Sequence, residues 1–407
     1  MKYDAIIIGA RCAGGPTAML LARKGYRVLL LDRATFPSDT LSSHFIHAPG
    51  VSRLKNWGLL DRVVRSKCPA IFSSTVDVGD FRLKGSPPPA GDVGAAYCVR
   101  RKVLDKILVD AAAEAGAEVR EGFTVQELIS EGGRVTGIRG QTRAGEPITE
   151  QATVVIGADG MRSRVALQVQ AAQYKVVPAL TCNYYSYWSG LRLSGPELFL
   201  RDGRFIVGAP TNDSLTIINV VAPHFAFPEF RSRVEQFFME TLELAPEFAG
   251  RVHAAERVER FFGTADTANF FRQPFGPGWA LVGDAGYHRD AITAQGISDA
   301  FRDADNLSAA LDLGLSGLRP VEEALAQFHG ARDAAVSAMY EMTCEMARLA
   351  PPSPPQQQLF EALRHNTAET DRFMGTIAGT VPIREFYSPA NLERILNKAR
   401  ESVFAMA

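Results

Sequence analysis

The first thirty-three residues constrain this chain more than any other stretch. Tyr3-Asp4-Ala5-Ile6-Ile7-Ile8 is a short apolar run suited to a buried parallel strand. Gly9-Ala10-Arg11-Cys12-Ala13-Gly14 follows at once. Thr17 to Lys24 then has helical character, and Gly25 stops it. Val28-Leu29-Leu30-Leu31 is a second buried strand, ending in Asp32-Arg33.

Strand, glycine turn, helix, strand and terminal acid together form the βαβ unit that binds dinucleotides. Gly9 lets the chain turn sharply out of the strand, and Gly14 lets the helix pack close to the sheet. The helix N-terminus offers free N–H groups to a pyrophosphate. Asp32 is placed to accept hydrogen bonds from two ribose hydroxyls. Arg11 stands where the usual G-x-G-x-x-G has its middle glycine. A side chain therefore occupies the place where backbone normally meets phosphate, although a guanidinium can itself pair with an anion. Cys12 lies in the same turn. A helix N-terminus there can lower a thiol pKa, and the plainer role is a small residue filling the turn.

At 407 residues the chain is long enough for two or three domains. Apolar content of 46% and charged content of 22% suit a globular protein, and a formal net charge of −1 gives no global field favouring nucleic acid. The five cysteines are scattered with no C-x-x-C, which points to reduced thiols, a cytoplasmic location and no metal site. The N-terminus opens directly into a strand, so no leader peptide is expected. No apolar stretch is long enough to predict a membrane span.

After Arg33 a long polar loop carries His44 and His47, candidate proton donors or substrate contacts, or simply residues that pack the loop. Helices are expected around Val51–Trp57 and Leu60–Ser66, then strands over 70–99. An amphipathic helix opens at Arg101 and ends near Gly116. Hairpin strands are expected at Arg134–Gly140 and Ile148–Thr149, and a separate buried strand at Ala152–Ile156. That strand runs into Gly157-Ala158-Asp159-Gly160, and small residues with an acid at a strand end again suit a ligand crevice. Residues 171–275 leave this pattern for short strands, interrupted by a helix over Phe230–Glu243. Within them, Tyr184-Tyr185-Ser186-Tyr187-Trp188 places Tyr185 and Tyr187 on one strand face, where they can wall a cavity. Trp279–Val282 is expected as the last strand of the first sheet. Gly283-Asp284-Ala285 follows, a loop holding His288 leads to Gly296, and a long helix starts there with Ile297. A second long helix follows from Val321, and the tail is expected to hold two helices that cap the substrate cavity.

Three fingerprints thus stand in fixed order: the βαβ unit, Gly157-Ala158-Asp159-Gly160, and Gly283-Asp284-Ala285 with Gly296. Jointly they resemble the FAD-dependent family that includes aromatic hydroxylases of the p-hydroxybenzoate hydroxylase type, geranylgeranyl reductases and flavin-dependent halogenases. The resemblance covers most of residues 1–330. It implies an α/β fold, with a Rossmann-like FAD-binding domain (1–70, 100–170 and 276–330). An inserted antiparallel-sheet substrate domain (71–99 and 171–275) and a helical C-terminal region (331–407) complete it. By resemblance, Gly9, Ala10, Arg11, Cys12, Ala13 and Gly14 surround the pyrophosphate, with Asp32 and Arg33 at the adenosine ribose. Arg101 contacts FAD, and Val125 meets adenine through its backbone. Asp159 and Gly160 match a motif linked to both FAD and NAD(P)H. Gly283 and Asp284 lie at the ribityl or pyrophosphate region. Gly296 and Ile297 face the pyrimidine edge of the flavin, where a helix N-terminus stabilises negative charge on the reduced ring.

The departures from the family pattern bear on the reaction. Asp290-Ala291 stands where hydroxylases usually carry proline, as in halogenases or reductases. The tryptophan-x-tryptophan-x-isoleucine-proline signature of tryptophan halogenases is absent. No second G-x-G-x-x-G exists, so NAD(P)H is expected as a transient donor, with a separate flavin reductase as partner if it is not used directly. The favoured expectation is a monooxygenase that hydroxylates an aromatic or polyketide-like small molecule through a flavin hydroperoxide. The alternatives are a reductase acting on a carbon–carbon double bond and, with less behind it, a halogenase. A flavin-holding protein without turnover is argued against by the inserted domain. Tyr185, Tyr187, His44 and His47 are the side chains carried forward as catalytic candidates.

Overall fold

In the computed structural model, which describes residues 2–406, the apolar runs form the strands their composition predicts. Tyr3–Ile8 pairs in parallel with Val28–Asp32 on one side and with Pro147–Gly157 on the other. Glu118–Glu121 extends the sheet beyond Val28–Asp32, and Trp279–Leu281 extends it beyond Pro147–Gly157. Ile6, Ile7, Leu29, Leu30 and Leu31 are all fully buried. Each such side chain contributes roughly 1.5–3 kcal/mol of burial. The chain leaves Ile8 towards one neighbour and returns later on the other, so a crevice opens beyond the C-terminal ends of these strands.

A second sheet, antiparallel except where Glu197–Arg201 runs parallel to Ser74–Asp77, takes its order from residues far apart in sequence. Thr181–Ser189, Thr216–Pro223, Arg204–Pro210 and Glu197–Arg201 are successive neighbours, and Ser74–Asp77 with Arg82–Gly85 completes the far edge. Alternation gives this sheet two different faces. Tyr184 and Trp188 pack against Phe230 and Phe238 from the helices on one side. Tyr185 and Tyr187 face the other way.

Several expectations need correction. The hairpin strand and the buried strand expected at Ile148–Thr149 and Ala152–Ile156 are one strand, Pro147–Gly157. Its first half pairs with Arg134–Gln141 and its second half with Tyr3–Ile8. The helix expected over Phe230–Glu243 is broken at Arg233 (φ −142°, ψ 53°) into Phe227–Ser232 and Val234–Leu242. Trp279–Leu281 is, as expected, the last strand of the first sheet in chain order, and the preceding Phe275–Gly276 hairpins onto it and forms the edge. Among the described residues the tail holds four helices rather than two: Pro354–Arg364, Thr367–Ala378, Ile383–Phe386 and Pro389–Met406. Gly379 (φ +76°) stops the second of them, and Pro382 and Pro389 mark the starts of the next two. Met1 and Ala407, at the ends of the expected domains, lie outside the described residues. No described helix is long and apolar enough to cross a membrane.

Candidate cofactor and substrate site

Three strand ends meet at the crevice, and the glycines explain how closely. Gly9 adopts φ +100°, and a Cβ there would stand 2.4 Å from the Ala158 carbonyl oxygen. A Cβ on Gly14 would stand 1.7 Å from the Gly9 carbonyl oxygen, and one on Gly283 would stand 2.7 Å from the Ala13 methyl. Backbone bonds hold the junction: Ala158 N–H donates to Ile8 at 2.8 Å and Val282 N–H donates to Gly157 at 3.0 Å.

From this junction one continuous cavity of about 830 Å³ runs to the antiparallel sheet. Gly9, Arg11, Cys12, Ala13, Asp32, Arg33, Arg101 and Val125 line it, with Asp159, Gly160, Gly283, Asp284, Gly296 and Ile297. Ala10 and Gly14 do not; they are buried in the packing of the turn itself. Asp32 accepts from the Ala10 and Ala34 N–H groups, one on each oxygen and both at 2.8 Å. Each carboxylate oxygen keeps a free lone pair towards the cavity.

The departure at Arg11 is resolved by Asp105, a fully buried carboxylate on the helix Arg101–Glu114. It pairs with Arg11 on one oxygen and with Arg101 Nε at 3.0 Å on the other. Arg11 also donates to the Ser38 Oγ at 3.0 Å and packs over the Phe36 ring. Its guanidinium is thereby drawn aside from the turn rather than left free for an anion. Arg101 is held well above the usual guanidinium pKa by Asp105, against the opposing cost of its burial. Cys12 Sγ donates to Asp105 at 3.5 Å, and burial pushes its pKa up, so the helix N-terminus does not make it a reactive thiol.

Asp159 lies at the start of the short helix Arg164–Gln168, accepting from the Oγ of its N-cap Ser163 and from the Arg164 N–H at 2.7 Å. Burial raises its pKa. Asp290 caps the turn Ala291–Thr293 and accepts from Thr181 Oγ1 at 2.6 Å, and burial raises its pKa also. Arg289 lies beside it, nearly buried, and pairs with Asp299 on the helix Gly296–Leu315.

The catalytic candidates separate. Tyr185 and His47 line the cavity, as does His288. His47 is buried, its Nε2 donates to the Thr293 carbonyl at 3.1 Å, and desolvation lowers its pKa to about 4. The imidazole is therefore neutral at physiological pH. His44 and Tyr187 do not line the cavity, contrary to the expectation that they reach a substrate. His44 is fully buried behind the wall at φ +61°, bonded to the Tyr187 hydroxyl through Nε2. Burial drives its pKa down. Tyr187 in turn carries the Arg100 guanidinium over its ring, 4.3 Å from the centroid.

The far part of the cavity is the face of the antiparallel sheet that carries Tyr185. Its floor comprises Val76, Leu198, Phe205, Val207, Ala209 and Ile217, with Asn183 and Asn219. Met374, Ile377 and Ala378 of the helix Thr367–Ala378 close it from above. Gln295 donates to the Ile377 carbonyl and ties that helix to the start of the Gly296 helix. These contacts between distant segments carried no signal in the sequence beyond the apolar spacing of the tail.

The donor set fits FAD: a glycine turn at a helix N-terminus, an acid with free lone pairs at the second strand end, and Arg101 across the crevice. Fold and site together define a FAD-dependent oxidoreductase. The chain belongs to the family described as FAD binding domain, which matches residues 2–343. It is 29% identical over 327 residues to a digeranylgeranylglycerophospholipid reductase of Methanosarcina mazei, covering 75% of this chain and 74% of that protein. It is 26% identical over 385 residues to a rifampicin monooxygenase of Streptomyces venezuelae, covering 91% of this chain and 76% of that one. Among solved structures, a flavin-dependent brominase shares the fold over 100% of both chains with a TM-score of 0.82 at 17% identity.

Proposed function

We propose that the protein is a FAD-dependent monooxygenase that takes electrons from NAD(P)H and inserts one oxygen atom into an apolar aromatic or polyketide-like molecule. The observation that carries this reading is one continuous cavity. It joins the phosphate turn to a mainly apolar chamber walled by Tyr185 and closed by Met374 and Ile377. FAD, when bound, supplies hydride acceptance from NAD(P)H and activation of dioxygen. The balance is one NAD(P)H, one proton, one dioxygen and one substrate giving hydroxylated product, water and NAD(P)+.

The chain's own residues do the rest. Gly9, Ala13 and Arg101 hold the pyrophosphate and Asp32 the ribose. The Gly296–Leu315 helix presents its N-terminus to the electron-rich edge of the ring system. Phe205, Val207 and Ile217 exclude water and position the substrate. NAD(P)H docks transiently near Asp159 and Gly160, and a separate flavin reductase takes over if direct reduction fails. The protein works in the cytoplasm.

A second reading has a specific observation behind it. The similarity to a digeranylgeranylglycerophospholipid reductase and the apolar chamber also suit double-bond reduction. That reaction needs an acid to protonate the second carbon. Of the groups that line the cavity, Asp290 is engaged with Thr181 and Ile292, His47 with the Thr293 carbonyl and His288 Nδ1 with the Ala268 carbonyl. This favours oxygen transfer. A halogenase reading has the shared fold and a distant relative named as a tryptophan 2-halogenase behind it, but the tryptophan-x-tryptophan-x-isoleucine-proline signature is absent.

The test is turnover of FAD-loaded protein with NADPH and an apolar phenol under isotopically labelled dioxygen. Label in the product supports the proposal. In a parallel reaction with an isoprenoid alkene, saturation of the double bond without incorporation of label supports the reductase.

A further inference from the structure

The cavity meets the surface on two sides of opposite chemistry. On the side of the phosphate turn and Val125, its exposed lining residues include Arg33, Arg162, Arg164 and Gln168. At the chamber side they include Leu41, Phe72 and Gly94, flanked by Thr40, Ser73 and Pro87. No member of this second group is charged. Asp39, next in sequence to Thr40, is paired with Arg100.

Exposure separates the two apolar side chains from the chamber's own wall. Phe72 is 62% exposed and Leu41 47%, whereas Val76, Phe205, Ala209 and Ile217, which line the same cavity, are 3–4% exposed. A side chain that lines a cavity and still faces solvent marks its rim. A lone exposed leucine or phenylalanine elsewhere on the surface would carry no such meaning.

The fold holds this rim in place. Phe45–Ile46 and Ala70–Ile71 both pair with Ala96–Cys98, so the loop before Phe45 and the turn after Ile71 are anchored to one small sheet. Cys98 Sγ donates to the Ser43 carbonyl at 3.6 Å, and Ile71 stands opposite Ala96. The cap helix Thr367–Ala378 is tied down towards both of its ends. Asp371 accepts from the Ser86 N–H at 2.7 Å, and the Ile377 carbonyl accepts from Gln295. The opening therefore lies beside a fixed cap, which does not have to lift to admit a ligand.

The two sides sort ligands by charge. Guanidinium groups at the first attract phosphates and pair with them. At the second an anion would shed water without meeting a cation. An apolar molecule there exchanges water for contact with Leu41 and Phe72 on its way to the floor.

We propose that the opening between Leu41 and Phe72 is the substrate entrance, through which an uncharged, largely apolar molecule reaches the chamber while the dinucleotide stays seated at the arginine side. Substrate and product then exchange without release of FAD. This inference rests on the chamber being the substrate site and holds whichever reaction follows.

A plug at the rim tests it by binding alone, so that its failure is distinguishable from failure of the monooxygenase reading. Phe72→Cys, Leu41→Cys and, at the arginine side, Gln168→Cys are biotinylated with a maleimide in the FAD-loaded state. Leu318→Cys, an exposed site that does not line the cavity, is the control. Wild type reports any reaction of the native thiols, of which Cys12, Cys68, Cys98 and Cys182 are buried. Association of 2-naphthol with the oxidised flavoprotein is followed by stopped-flow absorbance before and after streptavidin is added. Streptavidin is expected to slow association at least about tenfold in Phe72→Cys and Leu41→Cys and to leave it within about twofold in Leu318→Cys and Gln168→Cys. FAD content is expected to stay unchanged throughout. If one rim variant fails to fold, the other is read the same way. Unslowed association in the plugged rim variants, slowing in Gln168→Cys alone, or no binding of 2-naphthol to the unmodified protein overturns the proposal. The expected pattern without labelled product in the dioxygen experiment removes the monooxygenase reading and leaves the entrance standing.

Discussion

The guanidinium of Arg11, at the position of the missing glycine, is bound by the buried carboxylate of Asp105, ninety-four residues away in sequence. The same carboxylate orients Arg101. One fully buried acid therefore moves the intruding side chain aside and holds a second cation across the crevice. Removing it would leave two arginines facing each other without a counter-charge. Asp105→Ala is expected to cost about 3–5 kcal/mol of stability and to weaken FAD binding at least about tenfold. Chemical denaturation and fluorescence titration with FAD measure the two effects separately. Arg11→Gly, which restores the glycine and leaves the Arg101–Asp105 pair, is expected to keep FAD binding within about threefold of wild type.

The glycine turn makes a sharper prediction. The Gly14 Cβ clash with the Gly9 carbonyl oxygen is against backbone, so no side-chain rotation relieves it. Gly14→Ala is expected to retain less than about a tenth of the wild-type FAD content after purification, since overpacking of this kind exceeds 1–3 kcal/mol. Gly25→Ala, at φ +89° on the exposed end of the same helix with nothing within 4 Å, is the control. It is expected to lower stability only, by about 1 kcal/mol, without loss of FAD per folded chain.

Tyr187 distinguishes a structural from a catalytic role. Its hydroxyl binds His44 behind the cavity wall and does not line the cavity. Tyr187→Phe is expected to cost about 1–3 kcal/mol of stability by leaving the buried imidazole without its partner. Activity per folded molecule is expected to stay unchanged. A large fall in kcat at unchanged folded fraction would contradict this placement.

His47 gives a pH signature. Its pKa is lowered by burial from 6.5 to about 4 in the folded chain. Between those values the unfolded chain binds the proton and the folded chain does not. The associated stability is complete above pH 6.5 and declines as pH falls towards 4, by about 3 kcal/mol at most. His44 adds a loss of the same sign. Thermal melts from pH 7.5 to pH 4 are expected to show a steeper fall for wild type than for His47→Gln, which still has a donor for the Thr293 carbonyl.

How much of this was legible in sequence follows from the range of the interactions. The phosphate turn, Asp32 and the Asp159 and Asp284 strand ends were readable because each is local: an apolar run, a small-residue turn, an acid at a fixed place. The arrangement around Arg11 was not, because its partner Asp105 is an unremarkable charge in an amphipathic helix. Tyr185 and Tyr187 share a strand face, yet only one reaches the cavity. The loop bearing His44 covers the other, and that depends on a loop path rather than on periodicity. The single strand Pro147–Gly157 reads as two because its first half is mostly polar and alternates in exposure while its second half is mostly apolar and buried. Those patterns belong to a two-layer edge and a buried parallel centre, and one strand passes through both environments. The helices of the tail were detectable, but that Met374 and Ile377 close the chamber is a tertiary contact with no local code.

Anaerobic titration of the purified, FAD-supplemented protein with NADPH and then NADH, following the visible flavin band, tests the central claim most directly. The expected result is one FAD bound per chain, bleaching by at least one of the two nucleotides, and return of the band on admitting oxygen. Failure to take up FAD would contradict the assignment of the cavity, and bound FAD that neither nucleotide bleaches would contradict its direct reduction by NAD(P)H.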